Sequence, residues 1–315
     1  SSRAVSDAYI WMGDELCRRV LRNGLGGVDA VFVVGSSSRL IFSEARRLGC
    51  RTIMEAIIAS PRTERALLEA EERHFPEWAQ DGTAPVSEHF EQLVDKEYAL
   101  ADLIVCGSDF VRDSIGQSGG PIERCVVVPY GVSQTIAARP RRRDTTAPLR
   151  VLTVGAVGLR KGIPYVAEAA RKLRGDCQFR LVGPLQAPAS IAQRLSADLE
   201  YLGPVPKSQI GDHYGWADVF LLPSICEGSA TVIYEALGHG LPVITTHNSG
   251  SVITHEREGL IVPTRDSSAI VNSLLTLSKD PKRLSAMSEA ALATARTYSF
   301  ERYAGKLVEE LKKLG

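Results

Sequence analysis

Apolar residues in this chain gather in short runs separated by charged, helically patterned stretches. DAVFVVG (29–35), RTIMEAII (51–58), ADLIVCGS (101–108) and CVVVPYG (125–131) are apolar, rich in β-branched residues and mostly closed by Gly or Ser. That is the pattern of buried parallel strands. Between them, helices are predicted over 38–49, 63–80, 87–100 and 110–119. A second series has strands at 149–155, 178–183, 199–203, 218–224, 242–246 and 259–263. Its helices are expected near 163–174, 187–197, 206–216, 229–238 and 266–279, followed by two more helices with a joint at 298–300. Strand–helix alternation of this kind implies parallel sheets covered by helices on both faces. The expected fold class is therefore α/β, with two Rossmann-like doubly wound domains.

Residues 133–148, SQTIAARPRRRDTTAP, break the pattern and read as a linker. The run Arg141–Arg143 within it reads as solvated charge rather than a membrane or nucleic-acid patch. The expected organisation is a first domain over 1–132, the linker, a second domain over 149–297 and a last helix over 298–315 that packs back toward the first domain. A length of 315 residues suits two domains of ordinary size.

Charge narrows the function classes. Lys plus Arg equals Asp plus Glu at 37 each, so the field that would gather nucleic acid is missing and no nucleic-acid partner is expected. The six cysteines (17, 50, 106, 125, 177 and 226) are scattered without a CxxC pair. That spacing argues against a zinc site or a disulfide framework and for a reducing, cytoplasmic compartment. No run approaches the length of a membrane span and no signal peptide is visible. Contact with the cytoplasmic face of a membrane stays open, although no basic amphipathic helix stands out.

Two segments can carry chemistry. In CEGSATVIYEALGHGLPVITT (226–246), Glu227 follows a strand and Glu235 lies two turns into a helix predicted from Ser229. Val232, Ile233, Ala236 and Leu237 make that helix's apolar side, while Gly228, Thr231, Glu235 and Gly238 share a small, polar face. The first amides of the helix, near Ser229–Val232, lack helical acceptors and offer a phosphate seat. Carboxylates ahead of and beyond such a seat can hold hydroxyls. In VGAVGLRKGIPYV (154–166), Arg160 and Lys161 sit between a strand and a helix, where a planar fork and a point charge can neutralise a diphosphate. The loop lacks the GxxxxGK[ST] of a P-loop.

These residues resemble glycosyltransferase family 4, whose members have the two-domain GT-B fold. EGSATVIYEALGHGLPVITT matches that family's E-x7-E helix followed by G-x-P-V-I. VGAVGLRKG resembles its donor-phosphate loop, and ADLIVCGSDFVRDSI with VVVPYGV resembles the end of its acceptor domain. EGLIVPTRDSSAIVNSLLTL and TYSFERYAGKLVEEL resemble its carboxyl-terminal portion. The resemblance covers most of 100–315 and weakens before 100. It implies a retaining, metal-independent transfer of a hexose-like sugar from a nucleotide diphosphate donor to an acceptor hydroxyl. Glu227 would hydrogen-bond hydroxyls of the donor sugar and Glu235 would hold the ribose. Arg160 and Lys161 would stabilise the departing diphosphate. Backbone groups of Gly228, Ser229, Ala230, Thr231 and Val232 would complete the donor seat. Leu202 and Val205, in LGPV (202–205), would line the nucleobase pocket, and Gly183 would permit close approach. No cofactor is implied. The acceptor is left open between a glycan, a lipid and a small molecule.

Three departures from the family pattern bear on the acceptor side. Residues 1–28 read as helical and polar where the family starts with a strand and a glycine-rich loop. The first domain is therefore expected to be incomplete at its start, by roughly 70–100 residues if its size is typical. The strand RTIMEAII offers Glu55 where many members carry a His, and Ala156 stands where many have Arg. Two other readings follow from the same residues: a nucleotide-sugar-binding protein without catalysis, and a nucleotide-sugar epimerase.

Overall fold

The computed structural model describes residues 2–36, 38–79, 86–132 and 147–314. Most of the predicted linker, with Arg141–Arg143, lies outside these residues. The chain divides into two compact units. The first takes in 1–70, 81–129 and 305–315, and the second 71–80 and 130–304.

The first unit opens with α1 (Ser2–Arg22) and continues through β1 (Ala30–Val34), α2 (Arg39–Arg47) and β2 (Arg51–Ala56). Then come α3 (Pro61–His74), α4 (Glu88–Leu100), β3 (Leu103–Cys106), α5 (Asp109–Gln117) and β4 (Cys125–Val127). All pairings are parallel, in the simple order β1-β2-β3-β4. Phe42, Met54, Ile104, Val111 and Ile115 form the centre of its core. One expectation is corrected. The run at 30–34 reads as a buried strand, yet Ala30, Phe32 and Val34 are exposed while Val31 and Val33 pack inward. β1 is the edge of the sheet, so alternate side chains find no covering layer.

The second unit runs β5 (Leu149–Val154), α6 (Ile163–Lys172), β6 (Cys177–Val182), α7 (Ala189–Leu195), β7 (Glu200–Tyr201) and α8 (Ile210–Trp216). It continues with β8 (Val219–Leu222), α9 (Thr231–Gly238), β9 (Val243–Thr246), β10 (Gly259–Val262), α10 (Ser267–Lys279), α11 (Pro281–Ala295) and the start of α12 (Phe300–Lys312). Its parallel sheet has the order β10-β9-β8-β5-β6-β7. The order reverses between β5 and β8, which makes their carboxyl ends a topological switch point, where ligands of such sheets bind. β8 and β9 are buried throughout because helices cover both faces. Leu152, Phe220, Ile233, Leu237 and Val243 centre this core. Each fully buried side chain of this size contributes about 1.5–3 kcal/mol, and Leu237→Ala should cost about 2–5 kcal/mol.

No helix among the described residues is long and apolar enough to cross a membrane. The two parallel-sheet, Rossmann-like units make this a GT-B fold.

Candidate active site

The connection from β8 to α9, residues 223–230, is buried along its whole length. Buried backbone needs partners, and the segment after β9 supplies them. Thr246 Oγ1 donates to Ser224 O (2.6 Å) and Asn248 Nδ2 to Ile225 O (2.8 Å). Glu227 N donates to Asn248 O (3.0 Å) and Ala230 N to Ser249 O (3.1 Å). Ser229 Oγ bonds Gly250 O (3.0 Å) and pairs with Tyr234 OH (2.7 Å). These contacts hold 229–230 outside the helix. α9 thus begins at Thr231 rather than at the predicted Ser229.

The connection from β5 to α6 is locked to the same segment. The carbonyl of Arg160 accepts from Ile225 N at 2.9 Å. Gly162 turns the chain with φ of 68°, and a Cβ there would stand 2.1 Å from Pro223 O. Only glycine allows that approach. The two loops, 68 residues apart at their strand ends, therefore present their side chains from one rigid frame at the switch point.

Charge is concentrated there. Oε1 of Glu227 lies 2.8 Å from Lys161 Nζ and 3.0 Å from Arg160 Nη1. Both are ion-pair distances. Lys161 and Glu227 are buried, whereas the Arg160 side chain is about a third exposed. Burial pulls the Lys161 ammonium below its usual range; the Glu227 carboxylate opposes that shift and Arg160 adds to it. A buried cation of this kind gains from any anion that replaces water beside it.

Glu235 lies half-buried on α9 and accepts from Tyr214 OH at 2.7 Å. Tyr214, on α8, is fully buried and stacks on His239, with centroids 4.9 Å apart and rings 15° from parallel. Burial first, then the adjacent carboxylate, hold its hydroxyl well above the usual phenol range, so it stays a donor. The bond fixes one oxygen of Glu235 and leaves the carboxylate's remaining acceptor sites for another donor.

The other predicted residues fall around this centre. Gly228, Ser229 and Ala230 are buried, Val232 is half-buried and Thr231 is exposed. The Ala230 amide is taken by Ser249 O, so the open start of α9 rests on Thr231 and Val232. Gly183 has φ of 147°, and a Cβ there would sit 1.9 Å from Gly155 O. The packing of two strand ends thus demands this glycine whether or not a ligand comes near. Leu202 is exposed, and Val205 is partly buried against the core of the second unit. The sequence reading missed Tyr214, Asn248 and Ser249. None belongs to the E-x7-E or Arg-Lys patterns, and all act through backbone or side-chain contacts formed by folding. A separate cavity of 540 Å³ lies in the first unit, lined by apolar groups such as Met54, Ile57, Phe90 and Tyr98. Its described lining holds no cation, so it does not suit a diphosphate.

Comparisons with known proteins point to the same region. Residues 148–280 match the family model for glycosyl transferases group 1. The amylovoran biosynthesis glycosyltransferase AmsK of Erwinia amylovora is 29% identical over 216 residues, which is 64% of this chain and 53% of that protein. The D-inositol 3-phosphate glycosyltransferase of Thermobispora bispora is 30% identical over 247 residues, covering 70% of this chain and 56% of that one. The chain spans about half the length of the curated relatives it matches. Among solved structures, Anabaena Alr3699/HepE in complex with UDP superposes with a TM-score of 0.74 at 16% identity, over 95% of this chain and 82% of that chain. The sucrose-phosphate synthase of Thermosynechococcus elongatus gives 0.75 at 16% identity, over 97% and 78%. The residues matched by that family model lie within the second unit, together with Arg160, Lys161, Glu227 and Glu235.

Proposed function

We propose that the protein is a retaining, metal-independent glycosyltransferase of family 4. It moves a hexose-like sugar from a nucleotide diphosphate donor to an acceptor hydroxyl. One observation carries this reading: Arg160 and Lys161 from one loop and Glu227 from another meet at the switch point of the second sheet, beside the start of α9. In the reaction the bond between the anomeric carbon and the diphosphate oxygen breaks, a new bond forms to the acceptor oxygen, and the acceptor's hydroxyl proton passes to the departing diphosphate and from there to solvent. Negative charge collects on the departing diphosphate. Two fixed cations and the first amides of a helix are suited to receive it. Glu227 then turns its carboxylate to the sugar hydroxyls. The acceptor sites of Glu235 left open by Tyr214 take the ribose.

The group 1 family match and the glycosyltransferase relatives support transfer as the reaction class. A structural neighbour in complex with UDP-glucose makes UDP-sugars the first donors to try.

The test is a transfer assay with labelled UDP-, GDP- and ADP-hexoses against a panel of hydroxyl acceptors. NMR of the product should show the anomeric configuration of the donor retained, and EDTA should leave the rate unchanged. Glu227→Ala and Lys161→Ala should each abolish most turnover while the fold persists. Near-wild-type turnover in both variants would overturn the site. Nucleotide binding with neither hydrolysis nor transfer would establish a binding module instead, and conversion of the donor without an acceptor would establish an epimerase.

A further inference from the structure

We propose that Glu227 is a specificity-determining residue that makes the site prefer the sugar-bearing donor to the free nucleoside diphosphate, and so speeds release of the spent nucleotide. This rests on the donor-site reading above and adds a role that hydroxyl binding alone does not imply. One carboxylate oxygen of Glu227 lies within ion-pair distance of both cations that a diphosphate would claim. The backbone cannot retreat to separate them, because Arg160 O is bonded to Ile225 N and Glu227 N to Asn248 O. Only rotation of side chains can exchange one anion for the other.

The two ligands differ at the atom next to this carboxylate. In the donor, the terminal phosphate is esterified by the sugar. In the product it is free, with a second ionisation near pH 6, so it carries roughly one more negative charge at pH 7. The donor brings hydroxyls that give Glu227 new hydrogen bonds as it leaves the cations. The product brings no hydroxyl to that place and sets its extra charge against the carboxylate. Like charges at a few ångströms in a partly dry site repel strongly. Glu227 therefore penalises the product more than the donor, through a charge that its own loop cannot withdraw.

Glu227→Gln keeps the shape and removes the charge. Calorimetric titration of the wild type and this variant with UDP and with UDP-glucose should show UDP binding tightened about tenfold, with UDP-glucose binding unchanged or weakened. The inhibition constant for UDP should fall in parallel in a donor-hydrolysis assay. Glu256→Gln removes a largely exposed carboxylate of the same unit, paired with Arg283, and should leave both affinities as they are. Arg160→Gln gives an independent arm on a partly exposed side chain. It should weaken UDP more than UDP-glucose, because the remaining cation is then shared with Glu227. Equal or weaker UDP binding by Glu227→Gln, or a proportionate loss of both ligands in Arg160→Gln, would overturn the proposal and leave the donor site standing. If the wild type binds neither ligand, nor their GDP and ADP counterparts, the donor site itself is wrong and this inference falls with it.

Discussion

Each unit presents a helix start after a strand, and the two are furnished in opposite ways. In the first unit, the start of α2 is filled from within. Glu97 on α4 accepts from the amides of Ser36 (2.6 Å), Ser38 (2.8 Å) and Arg39 (3.1 Å). Burial pushes its carboxyl upward and these amides partly counter the shift. In the second unit, the start of α9 faces no carboxylate of that kind among the described contacts. Its nearby Glu227 is held by the Arg160 and Lys161 side chains instead. One helix start is closed by an internal anion bonded to its amides. The other is left open beside cations that an incoming anion can take over. The sheets differ in step: the four strands of the first have no reversal of order, whereas the second reverses between β5 and β8. A helix dipole alone thus does not mark a ligand site; what the fold has already placed against it decides.

The largest effect should come from the open end. Lys161→Ala is expected to lower kcat by about 10²–10³, the scale of losing one fixed electrostatic partner of a transition state. A steady-state assay checks this, with circular dichroism to confirm the fold. At the closed end, Glu97→Ala strips the amides of Ser36, Ser38 and Arg39 of their acceptor, and the Ser38 amide is buried. The substitution should cost about 1–3 kcal/mol of stability, read from the urea midpoint, while nucleotide affinity stays unchanged. If Glu97→Ala instead abolished nucleotide binding, the contrast between the two helix starts would fail.

pH sharpens the same contrast. Burial lowers the folded Lys161 pKa below the 10.5 of an ordinary lysine. Between the two values the unfolded chain binds more protons than the folded one, so Lys161's contribution to stability rises with pH across that window. Anion binding runs the other way, because it needs the ammonium and fades as pH climbs through the lowered value. The alkaline limb of kcat/KM should therefore lie below 10.5, and Lys161→Arg should move it upward. A smaller effect is expected from Tyr214→Phe. Loss of its bond to Glu235 should raise the donor KM by about fivefold, worth about 1 kcal/mol, with little change in kcat.

The strand–helix order of both units was legible because buried parallel strands leave apolar runs and helices leave a 3.6-residue rhythm. Arg160, Lys161, Glu227 and Glu235 were legible as residue types beside strand ends and a helix start. Their arrangement was not. That Glu227 lies against the two cations depends on β5 and β8 being neighbours, which is a long-range pairing. Tyr214 reaches Glu235 across 21 residues, with β8 between their two helices, so no local pattern announces it. The open face of β1 was hidden for a similar reason: whether a strand is central or an edge lies in its partners, not in its own residues. The two-residue delay of α9 came from Ser249 and Gly250, which a reading of the helix alone does not consult.

Hydrogen–deuterium exchange with and without saturating UDP-glucose tests the central claim most directly. The account predicts slower exchange in 155–162 and 224–235, with the amides of 36–39 unchanged. Protection confined to the first unit, or none in the two loops of the second despite measured binding, would contradict it.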